Sequence, residues 1–224
     1  MKQITIILTF FILCSCGQTE TKNIISTFKN GRPEIVKYFP DKNDTLTYRK
    51  EVFYESGKQD YIGYLDSGTK DSVWTWWYEN GNKKDQCKYV DGYYVDTVYH
   101  WYESGQLKQI EVVAGRTVRT DGCCNCNGTI IRYYENGKPK ELFTNINDIY
   151  QDTAKTWYEN GQLEWYAFYK NGKEEGLSET YYSNGKMEKS GTLQNGLTEG
   201  DVTKWDSLGN IISVTKYIAG QIIN

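Results

Sequence analysis

The sequence predicts an all-β chain: an elongated single-layer antiparallel meander built from about eight β-hairpin repeats of ~24 residues each. Three observations carry this. A glycine-centred turn motif recurs at near-constant spacing. The composition is rich in aromatic residues and poor in aliphatic ones. No window free of Gly or other turn signals is long enough for a helix.

The motif comes first. Its copies are "FKNGR", "FYESGK", "WYENGN", "WYESGQ", "YYENGK", "WYENGQ", "YYSNGK" and a decayed "WDSLGN", centred on Gly31, Gly57, Gly81, Gly105, Gly137, Gly161, Gly185 and Gly209. The intervals are 26, 24, 24, 32, 24, 24 and 24 residues. A second glycine follows eleven residues later at Gly68, Gly92, Gly172, Gly196 and Gly220. Gly115 falls one residue early, and Asn147–Asp148 marks the one place without it. Asn-Gly and Asp-Gly suit two-residue hairpin turns, in which both central residues take φ > 0. Each unit therefore reads as strand, turn, strand, turn, for roughly fourteen to sixteen strands in all. Glu and Lys flanking the first turn, as in Glu135 and Lys138, are expected to face each other across it.

The aromatic residues explain the composition. Trp77, Trp101, Tyr133, Trp157 and Tyr181 are each followed at once by Tyr78, Tyr102, Tyr134, Tyr158 and Tyr182. Adjacent strand residues point to opposite faces, so both faces are expected to carry an aromatic ladder. Rings stacked from unit to unit would then stand in for the missing thick core, because one hairpin is too small to fold alone. Aromatic residues make up 15% of the chain, which excludes a disordered one.

At the N-terminus, residues 1–15 read as a lipoprotein signal peptide. Lys2 precedes the apolar run Ile4–Leu13, too short to span a bilayer as a helix but of h-region length. "LCSCG" resembles a bacterial lipobox with Cys16 as the lipid acceptor, Leu13 three residues before it and Ser15 just before it. Residues 16–27 read as a tether, and 28–220 as the repeat domain. The expected address is the bacterial cell envelope, by lipid anchor to the outer membrane, on its periplasmic side or at the surface.

The pattern in "TWYENGQLEWYAFYKNGKEEG" and "ETYYSNGKMEKSGTLQNGLTEG" resembles the MORN repeat variant of bacterial proteins of the YwqK antitoxin type, over roughly residues 28–220. The resemblance implies a repeat architecture and, for its namesakes, an antitoxin role. An export signal ahead of the repeats sits poorly with a cytoplasmic antitoxin.

The 32-residue interval holds a Cys-rich loop insertion at about 117–128, with Cys123, Cys124 and Cys126; Cys87 is the remaining cysteine of the repeat domain. Three readings compete: disulfides pinning a loop, a four-thiolate metal site, and a reactive thiol. Export favours disulfides, and Cys-Cys-x-Cys lacks the usual zinc-knuckle and redox spacings. No metal and no cofactor are expected. His100, the only histidine, stands in a column with Val52, Trp76, Arg132, Thr156, Thr180 and Lys204, which reads as a solvent-facing strand position. The repeated Glu55, Glu79, Glu103, Glu135 and Glu159 read as turn flanks rather than catalytic acids, because a catalytic carboxylate pair is not copied down a ladder. Net charge is −3 with both signs interspersed, which gives no footprint for nucleic acid.

The function expected is a non-catalytic, lipid-anchored envelope scaffold. Its partner would be an unidentified protein, with a toxin as one candidate for an antitoxin- or immunity-like role. The alternative is an envelope glycan bound by exposed Trp and Tyr. An enzyme is the third and weakest reading, since no catalytic constellation stands out.

Overall fold

The computed structural model describes residues 20–113 and 127–223, and every regular element in it is a strand. The strands are β1 Thr21–Thr27, β2 Pro33–Phe39, β3 Tyr48–Phe53, β4 Gln59–Asp66, β5 Thr69–Trp77, β6 Lys83–Val90, β7 Tyr93–Trp101, β8 Leu107–Val113, β9 Gly128–Tyr133, β10 Pro139–Ile146, β11 Ile149–Trp157, β12 Leu163–Lys170, β13 Lys173–Tyr181, β14 Met187–Gln194, β15 Leu197–Trp205, β16 Ile211–Ile218 and β17 Gln221–Ile223. Consecutive strands pair antiparallel throughout, with β1 and β17 at the edges, giving one open seventeen-stranded meander. The ladder continues past the insertion, because β8 and β9 pair directly through Ile110↔Ile131 and Val113↔Gly128. Thr21–Thr27, expected in the tether, is a strand paired with β2.

The two turns of a unit differ, which corrects the expectation of two-residue loops at both. At the second turn both central residues take φ > 0, as at Asp91 and Gly92 (+52° and +82°) and Asn171 and Gly172 (+51° and +77°). These are two-residue type I′ hairpins. At the first turn only the glycine does, with φ of +81° to +99° across the eight copies. Tyr78 N donates to Asn82 O (2.8 Å) and Gly81 N to Tyr78 O (2.9 Å), closing a three-residue loop of type I turn plus left-handed glycine. Asn80 serves this loop by side chain: its Oδ1 accepts from Asn82 N at 2.9 Å.

A third recurring irregularity lies inside the strands. Ser72, Asp96, Asp152, Gly176 and Gly200 all have positive φ, from +60° to +81°. At each, the strand carries two residues more than its partner. Between β4 and β5, for example, Ile62 opposes Thr75 while Tyr64 opposes Asp71. These bulges bend and twist the sheet once per unit.

Register and alternation sort the side chains onto two faces. One row runs across the sheet through Gly63, Trp74, Cys87, Val98, Glu111, Ile130, Phe143, Ala154, Ala167, Ser178, Gly191 and Val202. This packed face holds nearly all the buried residues, with Val36 and Thr75 the exceptions on the far face. The tightest cluster is Trp74, Cys87, Tyr89 and Val98, flanked by Tyr61, Trp76 and Tyr94. Trp74 lies flat over Gly63, where a Cβ would sit 2.0 Å from the indole. Gly63→Ala is therefore expected to lose about 1–3 kcal/mol in urea unfolding and to shift tryptophan emission, as overpacking does. A variant with unchanged stability and emission would contradict this packing.

Candidate functional site

Successive units are joined at their turns by side-chain to backbone hydrogen bonds. The tyrosine before each first turn donates its hydroxyl to the carbonyl of the strand-end residue one unit on. The six bonds run Tyr54 to Trp77, Tyr78 to Trp101, Tyr102 to Tyr133, Tyr134 to Trp157, Tyr158 to Tyr181 and Tyr182 to Trp205, at 2.7–2.9 Å. Asparagine adds a parallel series: Asn80 Nδ2 donates to Glu103 O (2.7 Å), Asn136 to Glu159 O (2.9 Å) and Asn184 to Ser207 O (2.8 Å). At the opposite end of the strands, Gly92 N donates to Lys70 O (2.8 Å) and Gly196 N to Glu174 O (2.9 Å). The two aromatic columns thus occupy the places expected, but they link units by hydroxyl and carbonyl. Among the described residues no ring pair joins successive members of either column, so unit-to-unit ring stacking is corrected. Their rings take lysines instead, with Lys84, Lys108 and Lys140 Nζ 5.6–5.7 Å from the centroids of Tyr78, Tyr102 and Tyr134.

The expected Glu–Lys pair across the first turn is replaced by a longer reach: Lys138 Nζ donates to Asn160 O at 2.7 Å, in the next unit. Cys87 is 4% exposed in the core of the packed face. Cys16, Cys123, Cys124 and Cys126 lie outside the described residues.

The packed face carries a polar row that the sequence reading missed. Asp85, His100, Gln109, Arg132 and Glu141 face one another strand by strand from β6 to β10. His100 Nδ1 donates to Asp85 Oδ1 at 2.6 Å, and its Nε2 lies 3.3 Å from Glu111 Oε1 without hydrogen-bond geometry. Arg132 donates from Nε to Gln109 Oε1 (2.8 Å) and from Nη1 to Glu141 Oε2 (2.6 Å). The His100 side chain is 17% exposed, which corrects its reading as solvent-facing. Burial works against the charged imidazole, but the hydrogen bond it donates to Asp85 and the charges of Asp85 and Glu111 outweigh it and hold the pKa at about 9. A ring charged at neutral pH is no general base, so this cluster is an ion-pair brace. Among the described residues no group of three His, Cys, Asp or Glu is arranged to hold a metal ion.

Beside this row the packed face opens into a depression over β9–β12. Its floor is Ala154, whose register partner is Ala167, in the row that Trp74 fills in an earlier unit. Phe143, Tyr150, Trp165 and Tyr169 wall it with rings, joined as Phe143–Tyr150 (5.7 Å), Tyr150–Tyr169 (5.2 Å) and Trp165–Tyr169 (6.2 Å). The Arg132–Glu141 pair, Asn145 and Thr156 supply its polar rim.

The raised pKa of His100 fixes a pH dependence. Its contribution to stability is fully present below its ordinary value of 6.5 and is lost as pH rises through about 9. That contribution is expected to be on the order of 2–3 kcal/mol. Thermal melts between pH 6 and 10 should show it for the intact chain, and His100→Gln should flatten this part of the profile. An unchanged slope in that variant would contradict the brace.

A search of curated proteins finds no match to the chain. The family model described as MORN repeat variant matches four stretches, at residues 70–91, 127–144, 153–171 and 174–195. Each match spans one first turn, at Gly81, Gly137, Gly161 or Gly185, with strand on both sides, in register with the units seen in the sheet. The chain is a repeat sheet in which these four stretches match the MORN repeat variant.

Proposed function

We propose that the chain is a lipid-anchored scaffold of the cell envelope that binds another protein through the far face of its sheet. The observation that carries this is a rail of exposed apolar side chains on that face. Val73, Val112, Phe168, Leu177, Leu197 and Val214 are 36–58% exposed and run across the sheet from β5 to β16. Threonines fill much of the space between them: Thr97, Thr129, Thr144, Thr153 and Thr192 stand in the same row. A long strip of exposed apolar side chains on one face of a single-layer sheet is the kind of surface that protein contacts cover. Repeat sheets use such extended faces for recognition. Neutralisation of a toxin, as in the antitoxins whose repeats these resemble, is one form this binding could take. Nothing about the scaffold calls for a catalytic centre. The anchor rests on the apolar run before Cys16 and its lipobox spacing.

The test pairs two variants. Phe168→Asp with Leu177→Asp should abolish capture of a co-purifying protein from detergent extracts while leaving the thermal transition nearly unchanged, as exposed substitutions do. Cys16→Ala should move the chain from the membrane to the soluble fraction. Capture that survives the first change counts against the far face. Membrane retention without a lipid mass shift counts against the anchor.

A further inference from the structure

We infer that the depression on the packed face over β9–β12 is a binding site for a neutral pyranose residue of a glycan. It lies on the face opposite the apolar rail and is independent of the protein-binding reading. Four features point to this ligand chemistry.

The first is the contrast with the earlier units. Where Trp74 fills the row, its indole N–H is committed to the backbone, donating to Tyr64 O (3.0 Å) and Asp71 O (3.2 Å). At β11 and β12 the same row shrinks to Ala154 and Ala167. The ring of Trp165 stands beside this gap, and its N–H has no protein acceptor among the described residues. A volume filled by protein in one unit is open in another and is edged by a free donor.

The second feature is the ring wall. A pyranose presents a patch of C–H groups on one face and hydroxyls around its rim. Trp165, Tyr169, Tyr150 and Phe143 offer flat, electron-rich surface for the C–H patch.

The third is charge. The titratable side chains turned toward the depression are Arg132 against Glu141 and Asp148, because Lys155 turns to the other face, its Nζ 5.6 Å from the Tyr166 ring centroid. Arg132 is closed onto Glu141 at 2.6 Å, which neutralises both and leaves planar donors and acceptors rather than a net field. That suits a polyhydroxyl ligand better than an anion. Asn145 Oδ1, in the lining, is buried and has no hydrogen-bond partner, so an incoming hydroxyl would satisfy it.

The fourth excludes the nearest competitor. An extended peptide is held mainly by backbone hydrogen bonds at a free sheet edge. Here β9 to β12 are interior strands, each paired on both sides, so no backbone row is on offer. Recognition must come from side chains.

The experiment uses the full chain in detergent, titrated with methyl β-glucopyranoside, cellohexaose and N-acetylchitohexaose and read by saturation-transfer NMR. Saturable binding of at least one neutral sugar in the millimolar range is expected, as suits a shallow site. Trp165→Ala should weaken it at least about tenfold while Val73→Asp, on the far face, leaves it unchanged. If Trp165→Ala loses its thermal transition, Asn145→Ala carries the same comparison. The inference is overturned if the folded protein binds none of these sugars. It is equally overturned if the folded site variants bind as well as the parent, or if an anionic saccharide binds in preference. Loss of protein capture in the far-face variant with sugar binding intact would separate this site from the scaffold role.

Discussion

The structure depends on a hydrogen bond that a single unit cannot make for itself. Each turn tyrosine donates to a carbonyl of the following unit, and the Asn of each first-turn Asn-Gly pair does the same. The carbonyls concerned belong to strand ends and turn tips, where the ladder provides no partner. Pairing them removes the penalty of leaving them unsatisfied near packed rings. Burial pushes the hydroxyl pKa of Tyr78, Tyr134 and Tyr158 up, which keeps these groups as donors. The 24-residue period goes with this bond: the donor of one unit meets the acceptor 23 residues on. Across the insertion the separation grows to 31 residues and the bond from Tyr102 to Tyr133 is still made, because β8 and β9 remain adjacent.

A scaffold held at its turns can vary its faces. The row through Trp74, Cys87, Val98, Ala154, Ala167 and Gly191 keeps its register while side-chain volume falls from indole to hydrogen. The bulges make room for this, since each sets three residues of one strand against one of its neighbour, as Gly63 meets Ser72, Val73 and Trp74. Filled, the row is the core of the early units. Vacated, it is the depression under Trp165. The far face leaves the apolar rail from Val73 to Val214 in solvent. Two kinds of surface therefore arise from one repeat, set by a few positions per unit.

Most of the architecture was legible in the sequence because it is periodic. The glycine spacing gave the hairpins, and Trp77–Tyr78 and its copies gave the two faces. The turn type was misread at the first turn. Asn80-Gly81 has the letters of a two-residue loop, but Tyr78 at the closing pair makes it a three-residue one, and Asn80 is there for its side chain. The bulge residues Ser72, Asp96, Asp152, Gly176 and Gly200 went unnoticed although all four gaps between them fit the period or its insertion. Small or αL-tolerant residues at 24-residue spacing were the available signal. His100 could not be placed from sequence. Asp85 and Glu111 reach it through two different strand registers, and a mixed column hides a local ion-pair row. The depression was invisible for the same reason, because it is a difference between units rather than a motif.

The most direct test of the account is the deletion of one whole period. Removing residues 158–181 takes out 24 residues, keeps the bond from Tyr134 to Trp157 and puts Tyr182, which donates to Trp205, in the place of Tyr158. The shortened chain should keep a cooperative thermal transition and a β-type circular dichroism spectrum of the same shape. Removing residues 158–180 takes out 23 and flips the faces of every later strand, so that chain should lose cooperativity. Equal behaviour of the two deletions would contradict the claim that inter-unit register, fixed at the turns, holds the sheet together.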